Sequence, residues 1–358
     1  MLEDLRRELD AVDREIIELV ARRQQIVQRI GESKRESGRA TRDYGREKAV
    51  LEQARQDAGE LGISTDLAAG IMRDLITGSL QAQERDSLAH GSKARDQKAL
   101  VFGGYGKMGN WFAEFLDSQG CAVEVVDPGT EARRFPKAQD WREQIDSYDW
   151  IVVAAPIQVS ADILKDLLKL QPSGTIFDLA SLKSPLRQPL RALADAGCAV
   201  TSLHPMFGPD THLLSDRHVI FIDLGNPEAT RRARALFDHT MAEQVEMSLE
   251  DHDRMVGYVL GLSHALNIAF ITALRESGEA ANVLANLSST TFDAQLRVSR
   301  AVAGDNPPMY FEIQSLNDYG RAPLSALHDA LARIRELVER RDEAGFVRLM
   351  EKGREYLS

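Results

Sequence analysis

At residue 98 the apolar residues change from a spacing of three or four to the tight runs and alternation of strands, and this holds to about residue 246. ALVFGG, AVEVVD, WIVVAAP, TIFDLAS, AVTSLHP and HVIFIDL read as strands, and the intervals between them read as helical. Successive strands separated by helices predict a doubly wound parallel sheet of the α/β class. No persuasive strand pattern occurs before or after this stretch. The chain is therefore predicted to be multidomain, with an all-α domain over 1–88, a linker over 89–97 within the polar stretch 84–97, the parallel-sheet domain over 98–245 and an all-α C-terminal domain over 246–358.

The totals narrow the function classes. With 358 residues, 43% of them apolar, the chain can bury real cores, whereas a net charge of −11 argues against a nucleic-acid surface or an anionic membrane as partner. Any anionic substrate must meet local cations. Cys121 and Cys198 have neither metal-ligand spacing nor disulfide density, and MLEDLRRELD has no apolar signal core, so a reducing, cytoplasmic setting is expected and no metal. MVGYVLGLSHALNIAFITAL, residues 255–274, lacks Asp, Glu, Lys and Arg; its Ser263, His264, Asn267 and Thr272 favour a buried central helix over a membrane span.

Within the first 88 residues, apolar residues at 5, 9, 12, 16 and 19, resuming at 26 and 30, predict one long helix. RESGRATRD interrupts it, a short helix follows over about 43–57, and Ser64 or Thr65 caps a third helix running to about 88. Arg23 sits in the centre of the first helix's apolar stripe. A buried guanidinium is costly without partners. Lys34 is eleven positions on, about 20° around the helix and roughly 16 Å along it, so both can reach one ligand. On the third helix the stripe of Ala68, Ile71, Met72, Leu75 and Ile76 continues as Ser79 and Gln83, and Asp43, Arg46 and Glu47 open the second helix. Cations beside hydroxyl, amide and carboxylate groups suit a small, hydroxylated dianion. Arg6 lies about 25 Å from Arg23 along the helix and roughly 100° around it, so it is either a surface arginine or serves a second subunit.

Across these positions the domain resembles the all-helical chorismate mutases. The resemblance implies an intertwined helical dimer. Arg23, with Arg6 from the partner, would bind the two carboxylates of chorismate; Lys34 and Gln83 would contact the ether oxygen, Glu47 and Asp43 the ring hydroxyl side, and Ser79 a carboxylate. Arg46 is a further substrate-binding candidate. A pericyclic rearrangement needs no nucleophile and no proton transfer, which fits a site built to compact the substrate and stabilise developing charge.

In LVFGGYGKMGNWF, Gly104, Gly106 and Gly109 form G-x-G-x-x-G between an apolar strand and a helix, the context of a Rossmann-type dinucleotide turn. Tyr105, Lys107 and Met108 complete that loop. Asp127, 23 residues after Gly104, can accept from ribose hydroxyls and repel a 2′-phosphate, which favours NAD over NADP. Two later strand ends carry polar residues: DLASLKSP with Ser181 and Lys183, and SLHPMFGPD with His204, a candidate general base.

DLASLKSP, LHPMFGPD and HDRMVGYVLGLSH resemble the prephenate dehydrogenases from about residue 98 onward. By that resemblance His204 would take the ring-hydroxyl proton, Ser181 would orient His204 and the substrate, and Lys183 and His264 would support binding. An arginine in LRVSRAVAGDNPPMY would hold a carboxylate; Arg300 is preferred, with Arg297 the alternative. Taken together, the halves resemble the bifunctional chorismate mutase/prephenate dehydrogenases of tyrosine biosynthesis. That implies a homodimer and NAD, with tyrosine as a possible inhibitor at the dehydrogenase site. Two other readings stay open: a dehydrogenase acting on arogenate or another hydroxylated ring acid, and a helical domain used only for dimerisation or sensing.

Overall fold

The structure is a computed structural model that describes residues 1–36, 44–91, 94, 96–129, 134–211, 214 and 216–358. They divide into two compact units. The first comprises Met1–Ala155, Lys169–Leu179 and Leu193–Glu246; the second comprises Pro156–Leu168, Ala180–Ala192 and Met247–Ser358.

The first unit opens with three helices, α1 (Leu2–Glu36), α2 (Tyr44–Leu61) and α3 (Thr65–Gly91). Glu3 and Asp4 favour the positive end of α1. Ser64, rather than Thr65, caps α3: its Oγ accepts from Leu67 N at 3.3 Å. α3 continues past residue 88 to Gly91, which shortens the expected linker. Both α1 and α2 pack on α3, burying Val27, Ala58, Ala69 and Leu80, while Leu5, Leu9, Val12, Ile16 and Leu19 stay exposed. A 35-residue helix is about 52 Å long at 1.5 Å per residue, longer than α2 or α3 can cover.

The sheet follows: β1 (Lys98–Phe102), α4 (Lys107–Ser118), β2 (Ala122–Val126), β3 (Trp150–Val153), α5 (Ile157–Leu170), β4 (Thr175–Asp178), α6 (Arg187–Asp195), β5 (Val200–Pro205), β6 (His218–Ile222), α7 (Pro227–Ala235) and β7 (Glu243–Glu246). The strand order is β2-β1-β3-β4-β5-β6-β7. Two corrections to the expected sheet emerge. β5 and β6 are antiparallel, because the segment between them, 206–217, has no helix among its described residues to carry a parallel crossover. β7 lies outside the expected strands, since EQVE carries a charge at each end and sits on the sheet edge. The core is aromatic. Phe112, Phe115 and Leu116 of α4, spaced i, i+3, i+4, face the sheet, with Phe112 at 5.5 Å from Phe177 and Phe115 stacked at 4.8 Å on Phe237.

In the second unit Ser248 caps α8 (Leu249–Val256), accepting from Asp251 N at 3.1 Å. A π-helical turn, Gly257–Leu262, joins α8 to α9 (Ser263–Glu276). Then come α10 (Ala281–Asn286), α11 (Thr290–Ala303), α12 (Pro307–Ser315), α13 (Arg321–Glu339) and α14 (Glu343–Leu357). Gln314 Nε2 donates to the Gly261 carbonyl at 2.7 Å, satisfying part of the π turn. The expectation of a buried central helix over 255–274 is corrected: Val259, Leu266 and Ile268 are 56%, 43% and 42% exposed. One chain's helices do not cover its apolar surface. Among the described residues, Leu249–Glu276 is the one helical run long and apolar enough to cross a membrane by length and composition.

Candidate functional site

Helical spacing assembles the first site. A cavity of about 760 Å³ is lined by Arg23 and Lys34 from α1, Arg46 from α2, and Ser79 and Gln83 from α3. Arg23 Nη1 donates to the Leu75 carbonyl at 2.9 Å and to Ser79 Oγ. Ser79 Oγ in turn donates to the Leu75 carbonyl at 2.6 Å. Gln83 Nε2 donates to the Val27 carbonyl at 3.3 Å. Partial burial lowers the pKa of the Arg23 guanidinium from its ordinary value. Its partners are neutral oxygens, so the positive charge stays available to a bound anion.

Arg6 is exposed and does not line this cavity. Asp43 and the Glu47 side chain lie outside the described residues. Gln53 and Asp57 do line it, joined by a 2.7 Å hydrogen bond, and the sequence reading missed them. The signal was present: Arg46, Val50, Gln53 and Asp57 follow one another at four, three and four residues, which is one face of α2.

The second site begins where β1 ends, between β2 and β3, at the point where the strand order reverses. Gly103 has φ +75°, which L side chains rarely adopt, and a Cβ there would lie 2.7 Å from the Ala154 carbonyl oxygen. A Cβ on Gly104 would meet Val125 Cγ1 at 2.4 Å, and one on Gly109 would meet the Gly103 oxygen at 2.1 Å. Gly106 N donates to the Gly103 carbonyl at 2.9 Å, closing the turn, and no side chain caps α4. The amino end of α4, opening at Lys107 and Met108, therefore has no side-chain cap, and a helix start of this kind can receive a phosphate. Tyr105 is buried, with its hydroxyl donating to the Phe135 carbonyl at 3.1 Å. Asp127, directly after β2, accepts from Tyr105 N at 3.1 Å and from Gly129 N at 2.9 Å, so its carboxylate is already oriented. These residues fit a dinucleotide. Gly103, whose backbone conformation is the demanding one, does not stand out in the sequence.

On β5, His204 is buried opposite Ile220 of β6, two residues along the strand from Ser202, whose Oγ donates to Asp178 Oδ2 of the neighbouring β4 at 2.5 Å. Ser181 and Lys183 belong to the second unit. Ser181 is half-buried and Lys183 fully buried, and the Lys183 N–H donates to Asp253 Oδ1 at 2.8 Å. Ser184 Oγ donates to Asp253 Oδ2, and His252 Nδ1 lies 2.8 Å from Oδ1. Burial by itself pushes the Asp253 carboxyl up, but the hydrogen bonds from His252, Ser184 and Lys183 outweigh it and hold the carboxyl below its ordinary range.

His264, the second residue of α9, packs its ring 4.3 Å from that of Tyr310, and its Nδ1 makes no hydrogen bond. Burial lowers its pKa, with Asp305 opposing. Arg297 and Arg300 are both exposed, one turn apart on α11. Exposure does not separate them.

Comparison with known proteins follows the same division. Residues 5–84 match the family model for type II chorismate mutase, 129–245 that for the prephenate dehydrogenase nucleotide-binding domain, and 248–352 that for the prephenate dehydrogenase dimerization domain. The glycine turn and Asp127 precede the matched nucleotide-binding segment, so their assignment rests on geometry. A T-protein of Haemophilus influenzae is 27% identical over 360 residues, covering 99% of this chain and 92% of that protein. Another T-protein, from Enterobacter agglomerans, is 26% identical over 347 residues, covering 96% and 89%. The crystal structure of prephenate dehydrogenase from A. aeolicus, in complex with hydroxyphenyl propionate and NAD+, superposes with a TM-score of 0.56 at 18% identity, covering 73% of this chain and 98% of that one. A mutase segment followed by both dehydrogenase segments, together spanning most of the chain, is the arrangement expected if one polypeptide makes prephenate and oxidises it; the chain belongs to the bifunctional chorismate mutase/prephenate dehydrogenases.

Proposed function

We propose that the cavity of α1–α3 holds chorismate, and that the carboxyl ends of the sheet strands hold NAD+ with prephenate beside it. The enzyme rearranges chorismate to prephenate and converts prephenate, with NAD+, to 4-hydroxyphenylpyruvate in tyrosine biosynthesis. The observation that carries the mutase assignment is the convergence of Arg23, Lys34, Arg46, Ser79 and Gln83 on one cavity. Arg23 binds one substrate carboxylate, with Ser79 beside it, while Lys34 and Gln83 meet the charge that develops on the ether oxygen. Arg46 lines the remaining side; the family resemblance assigns Asp43 and Glu47 to the ring hydroxyl, and Arg6 to the cavity of a second subunit.

In the dehydrogenase half, the backbone of Gly104–Gly109 and the amino end of α4 hold the pyrophosphate, and Asp127 takes the ribose hydroxyls, favouring NAD over NADP. When bound, NAD+ supplies the acceptor for the hydride that leaves the ring carbon. His204 accepts the ring-hydroxyl proton. Ser181 orients the substrate, Lys183 and His264 support its binding, and Arg300 holds a carboxylate. Loss of the ring carboxylate as CO2 makes the product aromatic, so the step runs one way.

The exposed apolar residues of α1 and of Leu249–Glu276 support a homodimer, with the domains divided at 1–88, 98–245 and 246–358. The same surface favours a subunit interface over a membrane span, in keeping with a cytoplasmic enzyme. Tyrosine acts as a competitor of prephenate at the dehydrogenase site.

Reciprocal variants test the assignment. Arg23→Leu is expected to lower chorismate turnover about 100-fold or more while leaving NAD+ reduction by supplied prephenate intact. His204→Asn is expected to do the reverse. An Arg23→Leu enzyme with full mutase turnover, or a His204→Asn enzyme with full dehydrogenase turnover, overturns the corresponding half.

A further inference from the structure

Asp253 is completely buried and has no part in the chemistry assigned so far. A carboxylate that deep is destabilising unless donors satisfy it. Here two of the donors come from the loop after β4: the backbone N–H of Lys183 to Oδ1 at 2.8 Å, and the hydroxyl of Ser184 to Oδ2. A third contact is its neighbour on α8, His252, also fully buried. The backbone of Asp253 is held as well, its carbonyl accepting from Asn317 Nδ2 at 2.9 Å. The same Ser184 hydroxyl accepts from Asp318 N at 3.2 Å, so the loop, α8 and the start of the segment before α13 share one network.

The loop tied down in this way carries Ser181 and Lys183, and the helix that ties it leads through the π turn to His264. We infer that Asp253 is a positioning residue of the dehydrogenase: by accepting from the Lys183 N–H and the Ser184 hydroxyl, it fixes the loop that presents Ser181 and Lys183 to prephenate. The inference rests on the dehydrogenase roles proposed for those two residues. A fully satisfied buried network has one arrangement, and a substrate loop displaced by about 1 Å can lose on the order of 100-fold in rate.

The test uses the full-length enzyme with prephenate and NAD+, and reads chorismate turnover on the same preparation as a measure of folded protein. In Asp253→Asn the amide oxygen can keep the Lys183 N–H, but the amide N–H then faces Ser184 Oγ, whose hydroxyl must turn from donating to accepting, and the negative charge that strengthens these bonds is lost. Its kcat/KM for prephenate is expected to fall about tenfold to 100-fold, with KM for NAD+ within about twofold of wild type and mutase turnover unchanged. A merely structural role lowers Tm but leaves kcat/KM per folded enzyme intact. That outcome overturns the inference.

Ser184→Ala and Ser184→Thr keep the test decisive if Asp253→Asn does not fold. The alanine variant, which removes one bond, is expected to show a weaker loss in kcat/KM for prephenate, and threonine, which keeps the hydroxyl, is expected to restore it. Equal activity of alanine, threonine and wild-type enzymes overturns the role. A wild-type enzyme that reduces no NAD+ with prephenate overturns the dehydrogenase reading itself, and the role of Asp253 falls with it.

Discussion

His264 shows how burial shapes a single residue's response to pH. Its ring packs on Tyr310, its Nδ1 has no hydrogen-bond partner, and burial holds its pKa below the ordinary value of about 6.5. The unfolded chain therefore binds the imidazole proton more tightly than the folded chain does. Stability must fall as pH drops below about 6.5 toward the folded value, and is not affected by this group above it. His264→Asn is expected to reduce the loss of Tm between pH 7.5 and pH 5.5. Thermal melts at the two values check this, and an unchanged slope rules out His264 as a source of it. Arg23 is a different case, legible in the amino-acid sequence alone. A permanent cation in an apolar stripe is conspicuous because the misplacement is local, whereas the Asp253 network joins residues 70 and 69 positions apart and leaves no local signature.

Elements were legible to the extent that their physics is local. The caps and the change from helical to strand spacing located α1–α3 and six of the seven strands. Strand direction is not encoded in alternation, so the antiparallel β5–β6 pair was missed, and so was the π turn, which uses ordinary helical residues. The glycine turn was readable because only glycine fits it. Gly109→Ala would bring a Cβ to 2.1 Å from the Gly103 oxygen, a backbone atom that cannot swing aside. Its KM for NAD+ is expected to rise at least about tenfold, with mutase turnover unchanged, because α4 must move away from the turn and carry its amino end out of place. Steady-state titration with NAD+ reads this directly, and an unaltered KM would exclude the turn as the pyrophosphate site.

At the scale of the whole molecule, the exposed residues are as informative as the buried ones. Leu5, Leu9, Val12, Ile16 and Leu19 on α1 line a surface that one chain leaves uncovered, and Val259, Leu266 and Ile268 mark a second. Sedimentation of the wild-type enzyme is expected to give a dimer. Leu9→Glu with Ile16→Glu is expected to weaken that dimer and, if Arg6 is supplied to the cavity by the partner as proposed, to lower mutase turnover with it; turnover that survives in a monomer would assign Arg6 to the surface. Two consecutive reactions at separate sites of one chain are tested most directly by incubating the purified full-length protein with chorismate, first without NAD+ and then with it. Chorismate, prephenate, NADH and 4-hydroxyphenylpyruvate are followed together. Chorismate converted to prephenate without NAD+, followed by NADH and 4-hydroxyphenylpyruvate once NAD+ is added, is the predicted result. Chorismate left intact by an enzyme that still reduces NAD+ with supplied prephenate would contradict it.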